Sequence, residues 1–492
     1  MFDILKIVYV VIVVVLMFGA SIFVHEFGHF WMARRRGLKV EEFSIGFGPK
    51  IFGWVRDGVQ YSWRWLPFGG YVKLPQMVTS ETLEGDAKPE EELPPISAFS
   101  KILVAFAGPL MNVVFAYVIA TLIFFTGLPV VVNPAVVGNV EPNTPEAATG
   151  IRRGDRIVSV DGRPVKYWED AQIAACFART NVVEVQVERS KESGKETVAL
   201  HIPLQINTNF NVKMLQLDPM EHPVAKAVVP DMPAAKAGLS NQDEFVSFAG
   251  VPVQGIQQVM DMIHERSGVP TDLVVKRGEK RVTLTVTPTG EKGSKKGRIG
   301  VEFADGHTEI QHPSPQAQVT LVWNRTIDTL KALFHSKETG VGVGQVSGPP
   351  GIFAVLITNI LTDLRLALSF LVLLNINLAV LNLFPIPVLD GGHILMALIE
   401  TVMRRKLNPK LVEWVTNGCA LVVISFILFV SFNDFKLRGG LFKNMITSSF
   451  HRGQAAKAAN EPEKPVTIPD KPAGDAAGSP APSSVPSPAP AK

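Results

Sequence analysis

Cysteine is scarce: Cys176 and Cys419 are the only two in 492 residues. Cys419 sits in an apolar block and Cys176 in a polar stretch, so a bond between them is not expected. Neither a disulfide framework nor a thiolate metal site can be built from them. Charge is thin as well, with 19% Asp, Glu, Lys and Arg and a formal net charge of +3. No basic cluster resembles a nucleic-acid footprint, which excludes nucleic acid as a partner. What fills the chain instead is apolar sequence, 47% of it, gathered into long uninterrupted blocks.

Four blocks read as membrane spans: Ile7 to Val24, Ile102 to Leu128, Leu366 to Leu389 and Val415 to Phe432. A helix needs about 20 apolar residues to cross the hydrocarbon core. The first block has a cleavable signal peptide as its alternative, with Gly19-Ala20-Ser21 as the small-residue site, but only Lys6 precedes it as a positive flank and the run is long for such a segment. Arg34, Arg35, Arg36 and Lys39 follow the first block, and Arg404, Arg405, Lys406 and Lys410 lie between the third and fourth. The excess of positive residues puts both loops in the cytoplasm. The segment between spans two and three then lies outside with the N-terminus and the tail, against which Lys436 and Arg438 argue weakly.

That outer segment contains an internal repeat. NTPEAATGIRRGDRIVSVDGRPV, from Asn143 to Val165, is followed 88 residues later by DMPAAKAGLSNQDEFVSFAGVPV, from Asp231 to Val253. Pro145/Pro233, Gly150/Gly238, Asp155/Asp243, Gly162/Gly250 and Pro164/Pro252 match. Two domain-sized copies make a tandem rather than a solenoid. Each copy resembles a PDZ domain of the bacterial protease type. The resemblance implies peptide binding by strand addition or capture of a C-terminal carboxylate; spacers that only control access are the alternative. Gly154-Asp155 of the first copy becomes Gln242-Asp243 in the second, a departure in the turn.

Ile45-Gly46-Phe47-Gly48 opens a stretch of alternating aromatic and apolar residues that includes Trp54, Trp63, Trp65 and Tyr71. It reads as hairpins at the membrane interface, where Trp and Tyr are enriched. Glu81 to Pro95 reads as a flexible acidic connector. Gln316 to Phe334 has helical apolar spacing, to lie on the outer membrane surface or against the repeat units. From about His451 the chain is rich in Ala, Pro, Ser and Lys and is expected to be disordered.

The residues with most chemistry are His25-Glu26-Phe27-Gly28-His29. Positions four apart share a helix face, so both imidazoles reach one zinc ion while Glu26 acts on water beside it. Ionisable groups at the end of an apolar span are functional by default; a structural polar network is the alternative. A catalytic zinc commonly takes three protein ligands. Asp390, in Asn382-Leu-Phe-Pro-Ile-Pro-Val-Leu-Asp390-Gly391-Gly392, lies at the cytoplasmic end of span three, on the same side as the histidines. Asp363 is at the wrong end of that span, and His393 is a rival ligand. Pro385 and Pro387 break helical hydrogen bonding, which suits a bend that turns Asp390 inward and frees carbonyls, with the Asn382 amide, to hold substrate.

Together with Gly108-Pro-Leu-Met-Asn112 and Ser347-Gly-Pro349, the last read as a turn, these motifs resemble the bacterial site-2 proteases over roughly residues 1 to 440. The resemblance implies a zinc-dependent intramembrane endopeptidase, with Glu26 catalytic and His25, His29 and Asp390 on the metal. Substrate contacts are expected from Asn382, Pro385, Pro387, Gly46, Phe47 and Gly48, and support from Asn112 and Gly391. It also implies a single-pass membrane substrate trimmed beforehand, such as an anti-sigma factor, in a bacterial inner membrane, with lipid and PDZ-bound peptides as further partners. The expected fold class is a polytopic membrane protein of about four transmembrane α-helices, with a cytoplasmic membrane-associated β-rich loop and a tandem of PDZ-like α+β domains outside. The expected division is a first span at 1–33, the β-rich loop and connector at 34–97, and a second span at 98–129. PDZ-like units follow at 130–215 and 216–310, and an amphipathic helix and turn at 311–348. A third span region at 349–403, a loop and fourth span at 404–435 and a tail at 436–492 complete it. An inactive membrane-anchored PDZ adaptor is the alternative function; a coupled transporter would need more spans or inverted repeats.

Overall fold

The computed structural model describes residues 2–77, 94, 96–140, 144–191, 194–207, 212–220, 223–290, 296–303, 307–405 and 407–458. Most of the acidic connector and the tail beyond 458 lie outside the described residues. Helix α1 (Phe2–Arg35) is followed by strands β1 (Glu42–Arg56) and β2 (Val59–Lys73), then by α2 (Ala98–Thr126). After the repeat region come α3 (Pro315–Phe334), α4 (Pro349–Thr362), α5 (Leu364–Asn382), α6 (Asp390–Met403) and α7 (Pro409–Ala458). The last helix continues past His451 to Ala458, further than the composition of the tail suggested.

Among the described residues, five helical segments are long and apolar enough to cross a membrane: Leu5–Arg35, Ala98–Thr126, Val343–Thr362, Leu364–Asn382 and Lys410–Asp434. Val343–Thr362 was not among the four expected. It escapes a search for long runs because α4 alone has 14 residues and covers only about 21 Å at 1.5 Å per residue. Ser347-Gly-Pro349 is the start of this helix: Gly348 caps it, Pro349 occupies its first turn, and buried Asp434 of α7 accepts from Gly348 N–H at 2.7 Å and Gly351 N–H at 3.2 Å. The third expected span ends at Asn382 rather than Leu389, because Pro385 and Pro387 follow. Asp363 caps the start of α5, accepting from Arg365 N–H at 2.8 Å, at the end of that helix remote from Asp390.

The bundle shares one apolar core, with Val14 of α1, Ala116 and Ile123 of α2, Leu356 of α4 and Ile376 of α5 packed together. Outward-facing Leu421, Leu428 and Phe432 are exposed on α7, a surface that suits lipid better than water. One polar pair sets the register of α1 against α5: buried Asn375 Nδ2 donates to Ser21 Oγ at 3.0 Å. Four residues after Ser21 comes His25, and seven after Asn375 comes Asn382. Both steps keep to the same helix faces, and the two residues meet again there, with Asn382 Nδ2 3.3 Å from His25 Nε2.

The two repeat units fold alike. Arg156–Val160, Arg163–Pro164, Val182–Lys191 and Gly194–Pro203 make a four-stranded antiparallel sheet, beside the helix Trp168–Cys176. Glu244–Phe248, Val251–Pro252, Thr271–Arg277 and Lys280–Val286 repeat the strand order beside Ile256–Glu265. Each unit has its own core, around Ile157, Val160 and Val185 or around Phe245, Phe248 and Leu273. The first packs slightly beyond 215, since Leu217 joins its core and Asp218–Pro219 pairs with Val137–Asn139.

A buried ion pair is also repeated. Arg189 grips both oxygens of Asp155 at 2.7 Å and donates to Gly150 O at 2.9 Å; Arg277 grips Asp243 at 2.8 and 2.7 Å and donates to Gly238 O at 2.8 Å. The turn before each aspartate is the same despite the substitution between the copies: Gln242 has φ +70 where Gly154 has φ +86. The turn is therefore kept, at about 1–2 kcal/mol of left-handed strain.

Leu128–Val132 pairs with His307–Gln311, joining the exit of α2 to the entry of α3. Helix α3 bridges the two regions. Its Gln318 Nε2 donates to Ala120 O at 2.9 Å and Thr326 Oγ1 to Asn377 Oδ1 at 2.6 Å, while Asp328 accepts from Arg163 of the first repeat unit at 2.9 Å.

Burial alone would raise the Asp243 carboxyl, but Arg277 and the Ser240 N–H hold it below the usual range. A carboxyl depressed by folding adds stability above its unfolded value, about pH 3.9, and loses it as pH falls through its folded value. Arg189→Met should destabilise the first unit by about 3–5 kcal/mol by stranding Asp155. Arg277→Met should cost less, since that side chain is 42% exposed. Thermal unfolding of the detergent-solubilised chain tests both; unchanged melting for Arg189→Met would refute the pairing as a stabilising element.

Candidate metal centre

Helix α1 presents His25 and His29 on one face, one turn apart, with their Nε2 atoms 3.2 Å from each other. Asp390 enters from the first turn of α6, where the helix dipole favours a carboxylate. Its Oδ2 lies 3.3 Å from His25 Nε2 and its Oδ1 3.3 Å from His29 Nε2. These three residues form a group able to hold a metal ion.

The donors suit zinc in spacing and in polarity. Nitrogen and oxygen ligands at about 2.0–2.1 Å in a tetrahedron lie about 3.3 Å from one another. His29 Nδ1 is 2.8 Å from Val104 O; it must donate there, which leaves Nε2 as a lone pair aimed at the centre. His25 Nδ1 faces the Asn112 amide at 3.2 Å, and Asn112 Oδ1 is buried without a hydrogen-bond partner. Turning that amide by 180° sets Oδ1 to accept from a protonated Nδ1, which leaves His25 Nε2 as a lone pair. Asp390 Oδ2 is likewise buried without a hydrogen-bond partner. Acceptors converging on one point call for a cation, and neutral imidazoles oriented by outer hydrogen bonds are the usual form of metal-ligating histidines.

Close helix approach makes this possible. A Cβ on Gly108 of α2 would overlap the His29 ring, and one on Gly28 would overlap the Ala107 carbonyl. On the other side, a Cβ on Gly391 would strike the carbonyls of Leu383 and Phe384, and one on Gly392 that of Ile386. The two glycines let α6 fold back tightly on the 383–389 link, which delivers Asp390.

The centre opens into a cavity of about 280 Å³ lined by His25, Glu26, His29, Asn382, Pro387 and Asp390, among others. Asn382 Nδ2 lies 3.3 Å from His25 Nε2. His393 lines the cavity but is outside the three-residue group, and Pro385 does not line it. The β-loop meets the cavity through Gly70, Tyr71 and Val72, not through Gly46, Phe47 and Gly48. The reason is register: Glu42–Ile45 pairs with Gln60–Trp63 on one side and with Gly70–Lys73 on the other. That makes 42–45 the central strand and turns 70–73 to the edge facing the metal centre. Glu42 ties the layers, accepting from Ser62, from Arg64 at 2.8 Å and from Tyr71 at 2.9 Å. Gly46 lies against Leu66 O, and Phe47 stacks on Tyr71 at 6.4 Å. Gly70 is small because a Cβ there would press on Glu26.

Two histidines and a carboxylate able to hold a metal ion, with a glutamate in the same cavity, suit a metal-dependent hydrolase. The model of peptidase family M50 matches residues 13–426, and the chain belongs to that family. A Vibrio cholerae protein with a provisional zinc-metalloprotease name is 30% identical over 452 residues, covering 85% of this chain and 96% of its own. The regulator of sigma-E protease RseP of Escherichia coli is 28% identical over 446 residues, with the same coverage. A solved PDZ domain from Listeria monocytogenes covers 18% of this chain and 94% of its own at 25% identity, with a TM-score of 0.16. The chain is thus a zinc metalloprotease of the site-2, intramembrane type.

Gly108→Ala and Asn112→Ala should each lower zinc affinity, the second by about 10–100-fold as for other outer partners of metal ligands. Metal analysis after dialysis against graded chelator measures this; full retention by both variants would show that neither shapes the centre.

Proposed function

We propose that His25, His29 and Asp390 hold the zinc ion and that Glu26 is the general base and acid of peptide hydrolysis within the membrane. The observation that carries this is the convergence of three metal-binding side chains from α1 and α6 beside Glu26 in one cavity. Zinc, when bound, supplies a Lewis acid that activates water at neutral pH and polarises the scissile carbonyl. Glu26 takes the proton of the attacking water on its carboxylate and returns it to the leaving amine nitrogen. The Asn382 Nδ2–H is placed to donate to the scissile carbonyl oxygen as charge develops there.

The substrate is a single-pass transmembrane segment that unwinds and lies extended along the cavity. A helix hides its carbonyls, and the exposed edge at Gly70–Val72 offers backbone groups to a strand beside it. The relatives named for regulation of sigma-E support an anti-sigma factor, already trimmed outside, as the physiological substrate. The chain then sits in a bacterial inner membrane with the Arg34–Arg36 and Arg404–Arg405 ends in the cytoplasm. The repeat units lie outside as PDZ-like domains that exclude untrimmed proteins by size, held to the bundle through α3.

Glu26→Gln should keep stoichiometric zinc and lose cleavage of a model transmembrane substrate by at least about 100-fold, whereas Asp390→Ala should lose zinc. Normal cleavage by purified Glu26→Gln would overturn the assignment of the base.

A further inference from the structure

Helix α7 contributes one polar group to the catalytic cavity, and no step of hydrolysis described above uses it. Thr416 lines that cavity together with Glu26, Asn382 and Asp390. It is 1% exposed, and its Oγ1 is buried without a hydrogen-bond partner among the described residues. This is unusual for a helical threonine in this protein. Thr121, Thr126, Thr358, Thr362 and Thr401 all donate to the carbonyl four residues earlier, at 2.7–3.0 Å. That back-bond is the ordinary way to satisfy a hydroxyl in an apolar helix. Thr416 makes no such bond, and leaving a hydroxyl unpaired in a buried site costs about 1–3 kcal/mol. A valine would fill the same space without that cost. A buried, unpartnered hydroxyl on a residue that lines the cavity is therefore a group waiting for a partner that enters the cavity.

We propose that the Thr416 hydroxyl is a substrate-binding group, hydrogen-bonding the peptide backbone of the unwound segment in the cavity that the Gly70–Val72 edge also lines. An extended chain presents carbonyl and N–H groups to both flanks. The β-loop edge can satisfy one flank, and a peptide group left unpaired on the other would oppose binding. A hydroxyl both donates and accepts, so it can serve either a carbonyl or an N–H there without selecting a side chain. The assignment rests on the protease reading, since it needs a peptide in this cavity.

The test compares wild type, Thr416→Val, Thr416→Ser and Glu26→Gln as purified full-length protein acting on a single-pass model transmembrane substrate. Zinc content and melting temperature are read beside kcat and KM. Thr416→Val should lower kcat/KM about five- to tenfold, with zinc content unchanged and melting temperature equal or higher. Thr416→Ser should keep most of the wild-type efficiency. Amide-to-ester replacements scanned along the substrate near the scissile bond should include one whose loss is not deepened by Thr416→Val. Wild-type efficiency in Thr416→Val would overturn the inference. So would equal losses in the Val and Ser variants, which indicate packing, or additive losses with every ester. Absence of cleavage by the wild-type protein would remove the protease reading and this inference with it, an outcome distinct from active enzyme indifferent to Thr416.

Discussion

The arrangement depends on two helix ends brought together within the membrane so that two imidazoles and a carboxylate converge on one point. Each partner is costly there alone. Acceptors facing each other at 3.2–3.3 Å repel until a cation lies among them. Much of the bundle serves this convergence. Ser21 and Asn375 fix the register of α1 on α5, Gly28 and Gly108 let α2 close on the histidine face, and Gly391 and Gly392 let α6 turn back against the link from α5.

The same convergence explains the broken third span. A continuous helix would carry Asp390 about two turns beyond Asn382, some 12 Å along the axis. Ending the helix at Asn382 and restarting it at Asp390 keeps the two residues around one cavity. It also leaves the carboxylate at a helix N-terminus, where the dipole favours negative charge. Removal of proline hydrogen bonding is what allows the stop, and the two glycines allow the return.

The chemistry was the most legible part of the sequence, because an i, i+4 histidine pair and a motif at the matching end of another apolar block need only helix geometry and charge placement. The repeat was legible from Asn143 onward, through the strands that follow Val165 and Val253. Arg189 and Arg277 stand 88 residues apart in those strands, but their pairing with Asp155 and Asp243 is set by the folded sheet and carries no local signal. The β-loop was harder. That it forms a hairpin follows from alternation, but that Gly70 rather than Gly46 or Gly48 lines the cavity does not, because strand register and the double pairing of 42–45 are set by tertiary packing. Short α4 hid behind its length. Thr416 carries no signal in sequence at all: a lone threonine in an apolar run is ordinary, and only its missing back-bond in the folded chain singles it out.

The ligand set can be read directly by zinc K-edge X-ray absorption on the purified protein. One zinc per chain, bound by two imidazole nitrogens and carboxylate oxygen at about 2.0–2.2 Å and losing an imidazole contribution in His29→Ala, is the expected result. Stoichiometric zinc with an unchanged shell in His25→Ala, His29→Ala and Asp390→Ala alike would place the metal elsewhere and contradict the account.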